Sequence, residues 1–421
     1  MKRFFPLALL FVLLTACGAS PSEPAIPAPP PAASEAALSP APEPTALPAP
    51  PEPEPTPEPE PVTATLVVCG DAMSHMPQTN DAYDKETGDY RYDDCLSYVA
   101  PWITGADYAV VNLETVLGGG PYHGFPLFNS PDGLAYSLKR AGFDLVSTAN
   151  NHCMDQGYEG LVRTLDILDD AGLRHVGTYR TQEEADQDRG IVVADVGGLS
   201  VAFLAYTYST NGIPVKTAYD FSVSRFNVDY MTHVSDLDED KVSADLEAAR
   251  ALEPDLIAVL IHWGNEYHTS PSAYQKEVAD FLFDHGADLV LGGHPHVMQP
   301  MELRELPDGR TGFLAYSLGN FISAQSDRYT DTTAILRLEL TKDPVTRRTC
   351  VTDVSYVPCL MVNRGKGADP RFLLMDAPRA MAEFEAGTSE YVTQSVYDRL
   401  AQAREDCRTL LGMGRELTAL E

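Results

Sequence analysis

Acidic, amide and imidazole side chains recur in this sequence immediately after short apolar runs. Asp71 follows the run 66–69, Asn112 and Glu114 follow 108–111, and Asn150-Asn151-His152 follows 145–148. His262 closes the run 256–261, and His294 and His296 come just after 289–291. Hard oxygen donors combined with imidazoles suit Zn, Mn or Fe better than Ca, and the set lacks the clustered thiolates of a structural zinc site. One histidine beside an apolar strand is usually a hydrogen-bonded structural residue, but that reading explains five such placements poorly.

The elements that would position these groups can be read from the apolar spacing. Runs 66–69, 108–111, 145–148, 191–196, 201–205, 256–261 and 289–291 have strand character, and the stretches 158–171, 237–252 and 272–285 are amphipathic at helical period. This alternation predicts an α/β domain. In open α/β sheets the carboxyl ends of the strands share one edge, where ligand sites form, so five strands would aim their polar residues at one place. After residue 300 the runs 312–318, 332–340 and 349–358 are broken by Pro307-Asp308-Gly309 and Asp343-Pro344, which predicts a more antiparallel sheet or sheet edge. The tail 389–420 has few breakers and predicts one or two peripheral helices.

Six segments then make a specific resemblance. Gly70-Asp71, Asn112-Leu113-Glu114, Asn150-Asn151-His152 with Asp155 and Gly157, His262-Trp263-Gly264-Asn265-Glu266-Tyr267, Gly293-His294-Pro295-His296-Val297 and Tyr316-Ser317-Leu318-Gly319-Asn320-Phe321 occur in the order seen in the CapA family. The chain resembles these capsule and poly-γ-glutamate synthesis proteins from about residue 65 to 323. The resemblance implies an α/β fold of the calcineurin-like metallophosphoesterase type, with layered mixed sheets flanked by helices, to which the sequence pattern adds the C-terminal helical tail. It implies one or two divalent ions: Asp71 and His296 on the first, Asn151, His262 and His294 on the second, Glu114 bridging, and His152 as the acid for a leaving group. Asn112, Glu266 and Asn320 are expected to orient ligands or meet substrate. Two departures stand out. Met73 occupies the place where the metallophosphoesterase enzymes' Asp-x-His motif has its second ligand, and Glu114 replaces those enzymes' aspartate; His75 is either a substitute ligand or incidental. Trp263 and Tyr267 are expected either to pack or to line a pocket.

The chain has 421 residues, with 30 Lys and Arg against 61 Asp and Glu, a formal charge of -31. A general basic surface for nucleic acid is therefore excluded. Lys2 and Arg3, the apolar run 4–14 and Leu14-Thr15-Ala16-Cys17 resemble a lipoprotein signal, with Cys17 the lipidated residue; an ordinary signal peptide cut near Ala16 or Ala19 is the alternative. Residues 18–62 hold 17 prolines and seven glutamates without Lys or Arg, an extended spacer by composition or, alternatively, a Pro-rich ligand. The expected organisation is thus signal 1–17, linker 18–62, CapA-like domain 63–360 and a mostly helical extension 361–421. Lipid on Cys17 would hold the chain to the outer face of the membrane, beside other polymer-synthesis subunits. Cys350 and Cys359 are a candidate disulfide, and Cys69 and Cys153 candidate buried thiols.

Three functions follow: a metal-dependent hydrolase or transferase acting on an envelope polymer or its precursor, a noncatalytic scaffold, and a phosphatase for secreted phosphoesters. Removing the two N-terminal cations and seven linker glutamates from -31 leaves -26 on residues 63–421. A domain so charged repels a polyanion unless cations or a local basic pocket offset the field.

Overall fold

The computed structural model describes residues 60–420, so Cys17, the signal and nearly all of the linker lie outside the described residues. Two mixed sheets stack face to face. The first begins with β1 (Val62–Ala72), β2 (Tyr108–Leu113), β3 (Leu145–Ser147) and β4 (Arg174–Val176), all parallel. The second contains β5 (Val192–Val196), β6 (Leu199–Thr207), β7 (Leu256–His262), β8 (Leu289–Gly293), β9 (Met301–Glu305) and β10 (Thr311–Ala315). Its order is β5-β6-β7-β8-β10-β9, parallel from β6 to β10 and antiparallel at both edges. The chain then returns to the first sheet through β11 (Asn320–Ile322), β12 (Thr332–Lys342), β13 (Thr349–Asn363), β14 (Phe372–Asp376) and β15 (Arg415–Glu416).

Strand periodicity explains the stacking. Ala64, Leu66 and Val68 of β1 share a core with Val201, Phe203 and Ala205 of β6 and Leu256, Ala258 and Leu260 of β7. Val67 and Cys69 point the other way, into a core that includes Leu161, Leu165 and Leu168 of the helix Gly157–Asp170. Ile257, Val259 and Ile261 likewise face Val242 and Leu246 of the helix Glu239–Ala251 and Val278 and Leu282 of the helix Ala273–Asp284. Because β-strand side chains alternate faces, each sheet is apolar on both sides and needs a helical layer outside. These are the layered mixed sheets that the resemblance implies. The helix Ala273–Asp284 starts at a Ser272/Gln275 capping box and ends at His285, whose Nδ1 lies 2.8 Å from the Phe281 carbonyl.

Two expectations need correction. The division at residue 360 falls inside β13, and β14 and β15 also join the first sheet, so the C-terminal part is not simply a helical extension. Its helices Ala377–Glu385 and Gln394–Leu411 cover Leu360, Val362, Leu373 and Met375, which buries this end of the sheet on both faces. Cys350 and Cys359 lie on the same strand, and nine residues of extended chain span about 30 Å, far beyond disulfide reach. Cys69 and Cys153 are buried free thiols, as expected. Among the described residues no helix is long and apolar enough to cross a membrane.

Gly70 allows β1 and β11 to close: a Cβ there would sit 1.9 Å from the Gly319 carbonyl oxygen, beside the Asp71 N–H bond to that same oxygen. Gly70→Ala is expected to destabilise the fold by about 1–3 kcal/mol or more, measured by urea unfolding.

Candidate metal centre

The strand ends converge as the sequence predicts. In register, Asp71 pairs with Asn112 and with Asn320, and His262 pairs with Gly293. Asp71, Glu114 and Asn151 come from the first sheet and its loops, and His262, His294 and His296 from the second; all six are buried. Two overlapping groups have ligand atoms within 4.8 Å of one another: Glu114 with His294 and His296, and Asp71 with Glu114 and His262. Glu114 belongs to both, the position a bridging carboxylate takes. His296 Nδ1 also lies 3.9 Å from Asp71 Oδ2, so the side chains form one continuous cluster.

The loop Gly293-His294-Pro295-His296 needs special backbone. His294 has φ +98° and His296 φ +58°, left-handed values that cost about 1–3 kcal/mol each and persist where surrounding structure enforces them. Gly293 permits the approach: a Cβ would come 2.5 Å from Asp71 Oδ1, and the His294 N–H donates to Asp71 Oδ2 at 3.0 Å. Asn320 Oδ1 sits 3.0 Å from His296 Nδ1 while its Nδ2 donates to the Thr330 carbonyl, so it orients a histidine and holds a turn at once. Asn112 Nδ2 donates to Asp71 Oδ1 at 2.7 Å and lies 3.3 Å from His262 Nδ1.

Both oxygens of Glu114 and Nδ1 of His294 are buried without a hydrogen bond. His262 Nε2 lies 2.9 Å from Asn151 Oδ1 and 3.2 Å from Glu114 Oε1, and one N–H cannot serve both. A buried ionised carboxylate left so is strongly unfavourable unless it is protonated or paired with a cation. Burial pushes Glu114 up to about 8, against the pull of His152 and with help from Glu266 and Asp155. Burial and the Glu114 charge push Asp71 up to about 6. Burial lowers His262 to about 4 and His296 to about 3, and drives His294 well down, so these imidazoles are neutral, the form that ligates. The donor set therefore fits a divalent transition metal, with a proton near Glu114 standing in the cation's place in the metal-free chain.

His152 lies beside the cluster. Its Nδ1 is 2.6 Å from Asp155 Oδ2, and its ring meets the edge of Phe128 at 4.7 Å between centroids. Burial opposes its charge, yet the Asp155 hydrogen bond and the Glu114 and Asp155 charges raise its pKa overall. Met73 is buried and adds no hard donor. His75 Nδ1 is taken up by backbone, 3.3 Å from both the Met73 carbonyl and the Ala324 N–H, and neither metal-ligand group includes it. Of the two roles expected of Glu266, its exposed position leaves the one at the rim: its side chain orients no histidine of the cluster and acts on Glu114 through its charge. Trp263 packs, donating to the Tyr316 carbonyl at 2.9 Å, whereas Tyr267 stands exposed at the rim, 5.9 Å from His296 between ring centroids. The sequence reading missed Tyr208, whose ring is 4.6 Å from His294, and Asn211, whose Oδ1 accepts from Asn151 Nδ2 at 3.0 Å. Both follow β6, Tyr208 directly and Asn211 within the turn beyond it.

The fold and site define a class: a two-sheet α/β protein with a buried carboxylate-imidazole centre where the strand ends of both sheets meet. Residues 65–325 match the family described as "Bacterial capsule synthesis protein PGA_cap", and the chain belongs to that family. It is 28% identical over 257 residues to "Capsule biosynthesis protein CapA" of Bacillus anthracis, covering 60% of this chain and 59% of that protein. It is also 28% identical over 266 residues to "PGA biosynthesis protein CapA" of Bacillus subtilis (strain 168), covering 62% and 64%. The chain thus spans about three-fifths of the length of these relatives. Among solved structures, a putative 5'-nucleotidase from Staphylococcus aureus is similar at 15% identity and a TM-score of 0.44, covering 82% of this chain and 58% of that one.

In the unfolded chain these groups titrate near their ordinary values. Above pH 6.5 the folded, metal-free protein keeps protons on Glu114 and His152 that the unfolded chain has released, so stability falls as pH rises towards about 8. Below 6.5 the unfolded chain protonates His262, His294 and His296 while the folded chain does not, and stability falls again, with Asp71 and Glu114 opposing part of the loss. Urea unfolding of metal-free protein is expected to show a stability maximum near about pH 6.5. Glu114→Gln is expected to shrink the loss above that maximum, leaving only the part of the His152 share that Asp155 and Glu266 supply.

Proposed function

We propose that this chain is a metal-dependent hydrolase or transferase of capsule or poly-γ-glutamate production, acting on the envelope polymer or its precursor. The observation that carries this reading is the buried, unpaired Glu114 carboxylate among three neutral histidines, with the His152–Asp155 pair alongside. Similarity to proteins named for capsule and poly-γ-glutamate biosynthesis supports the substrate class. A bound Mn, Zn or Fe ion would supply Lewis-acid polarisation and a more acidic water.

The chain's own residues do the rest. Asp71, Glu114, Asn151, His262, His294 and His296 would hold the ions, while Asn112 and Asn320 fix the orientation of Asp71 and His296. Asp155 holds the Nδ1 side of His152, so its Nε2 is the site from which a proton passes to a leaving oxygen or nitrogen. Glu266 and Tyr267, exposed at the rim, are placed to meet substrate.

Charge favours a metal-based grip on an acidic polymer. A cavity of about 790 Å³ away from the centre is lined by Arg189, Arg225 and Lys241, but Arg189 and Lys241 pair with Asp245 and Arg225 with Asp220. With those cations already neutralised, the offset to the domain's negative field falls to ions at the centre. We further propose that Cys17 carries lipid and holds the domain outside the cell membrane, within reach of other synthesis subunits. The buried Met73 in a ligand position favours the second reading, a noncatalytic scaffold.

Elemental mass spectrometry of the full chain, purified without chelator, is expected to find about one or two transition-metal ions per chain, lost in His294→Ala. His152→Ala is expected to keep the metal and lose about 10²–10⁴ in turnover on whichever phosphoester or envelope polymer the wild type cleaves. No metal in wild type, even after loading, would leave the scaffold reading.

A further inference from the structure

The centre contains one ligand whose two ends are opposite in chemistry. Asn151 offers an oxygen that can hold a cation and, rotated by half a turn about its last bond, an NH₂ that cannot. Its Oδ1 lies 2.9 Å from His262 Nε2, on the side of Glu114, and its Nδ2 faces Asn211 Oδ1 at 3.0 Å. Asn211 sits at the exposed mouth of the site with φ +49°, just before Gly212, and its own Nδ2 is 3.3 Å from both ring nitrogens of His152. The Tyr208 hydroxyl also meets Asn151, but a hydroxyl donates or accepts and so does not choose between the two rotations.

We propose that Asn211 is a positioning residue that sets the Asn151 amide with its oxygen toward the metal. The inference rests on the metal reading above. A carbonyl oxygen in the Asn211 position accepts from NH₂ and repels another oxygen, so it selects one rotation. Water in the same place does not, because it pairs with either end. Removing Asn211 would therefore leave the buried Asn151, 1% exposed, free to turn its NH₂ toward the cation.

Asn211→Gly removes this side chain at a backbone angle that glycine adopts without strain. Calorimetric titration of the full chain with Mn²⁺ alone is expected to show affinity at least about tenfold weaker in Asn211→Gly than in wild type. Asn211→Asp keeps the oxygen acceptor and is expected to bind like wild type. In an Asn151→Asp background both ends of the ligand are oxygens, so adding Asn211→Gly is expected to change affinity by no more than about twofold. Unchanged affinity in Asn211→Gly would overturn the proposal, and so would an equal loss in both backgrounds, which marks a general structural role. A folded wild type that takes up no Mn²⁺ would instead bring down the metal reading, and this proposal with it.

Discussion

The carboxylate of Glu114 is sealed from water and has no hydrogen bond, so the folded chain must either protonate it or bring a cation to it. Much of the surrounding structure can be understood as what keeps that choice open. Neutral imidazoles from the second sheet face it, made neutral by the same burial that raises its pKa. Asn112, Asn320 and the His294 backbone fix the neighbouring donors, and the left-handed backbone at His294 and His296 is the strain that placing two histidines around one proline requires.

Most of this site was legible in the sequence because each residue lies just past an apolar strand, and strand ends meet at one edge of a parallel sheet. Asp71, Asn112, Asn151, His152, His262, His294 and His296 all fall there. Tyr208 and Asn211 were hidden because Ser209-Thr210-Asn211-Gly212 has the composition of an ordinary turn. For Glu266 the sequence left two roles open, because adjacency to a strand-end histidine says nothing about which way a loop turns; it faces solvent.

The fold shows the same division between local and long-range information. Short apolar runs marked most strands of both sheets, and the amphipathic spacing over 272–285 marked the helix Ala273–Asp284 closely. What failed depended on partners far away in sequence. Short Phe372–Asp376 reads equally as strand or buried helix until β13 is beside it, and the proposed Cys350–Cys359 link fails because the residues between them pair with β12 as extended chain.

The two sets of ligands come from different sheets, with Asp71 and His294 already 223 residues apart along the chain. No hairpin or single βαβ unit holds enough donors to capture an ion. The complete centre therefore exists only where the two sheets have docked. If the chain crosses the membrane unfolded on its way to the proposed location, the complete centre does not exist during the crossing, and the metal it finally holds is chosen by the medium in which it folds.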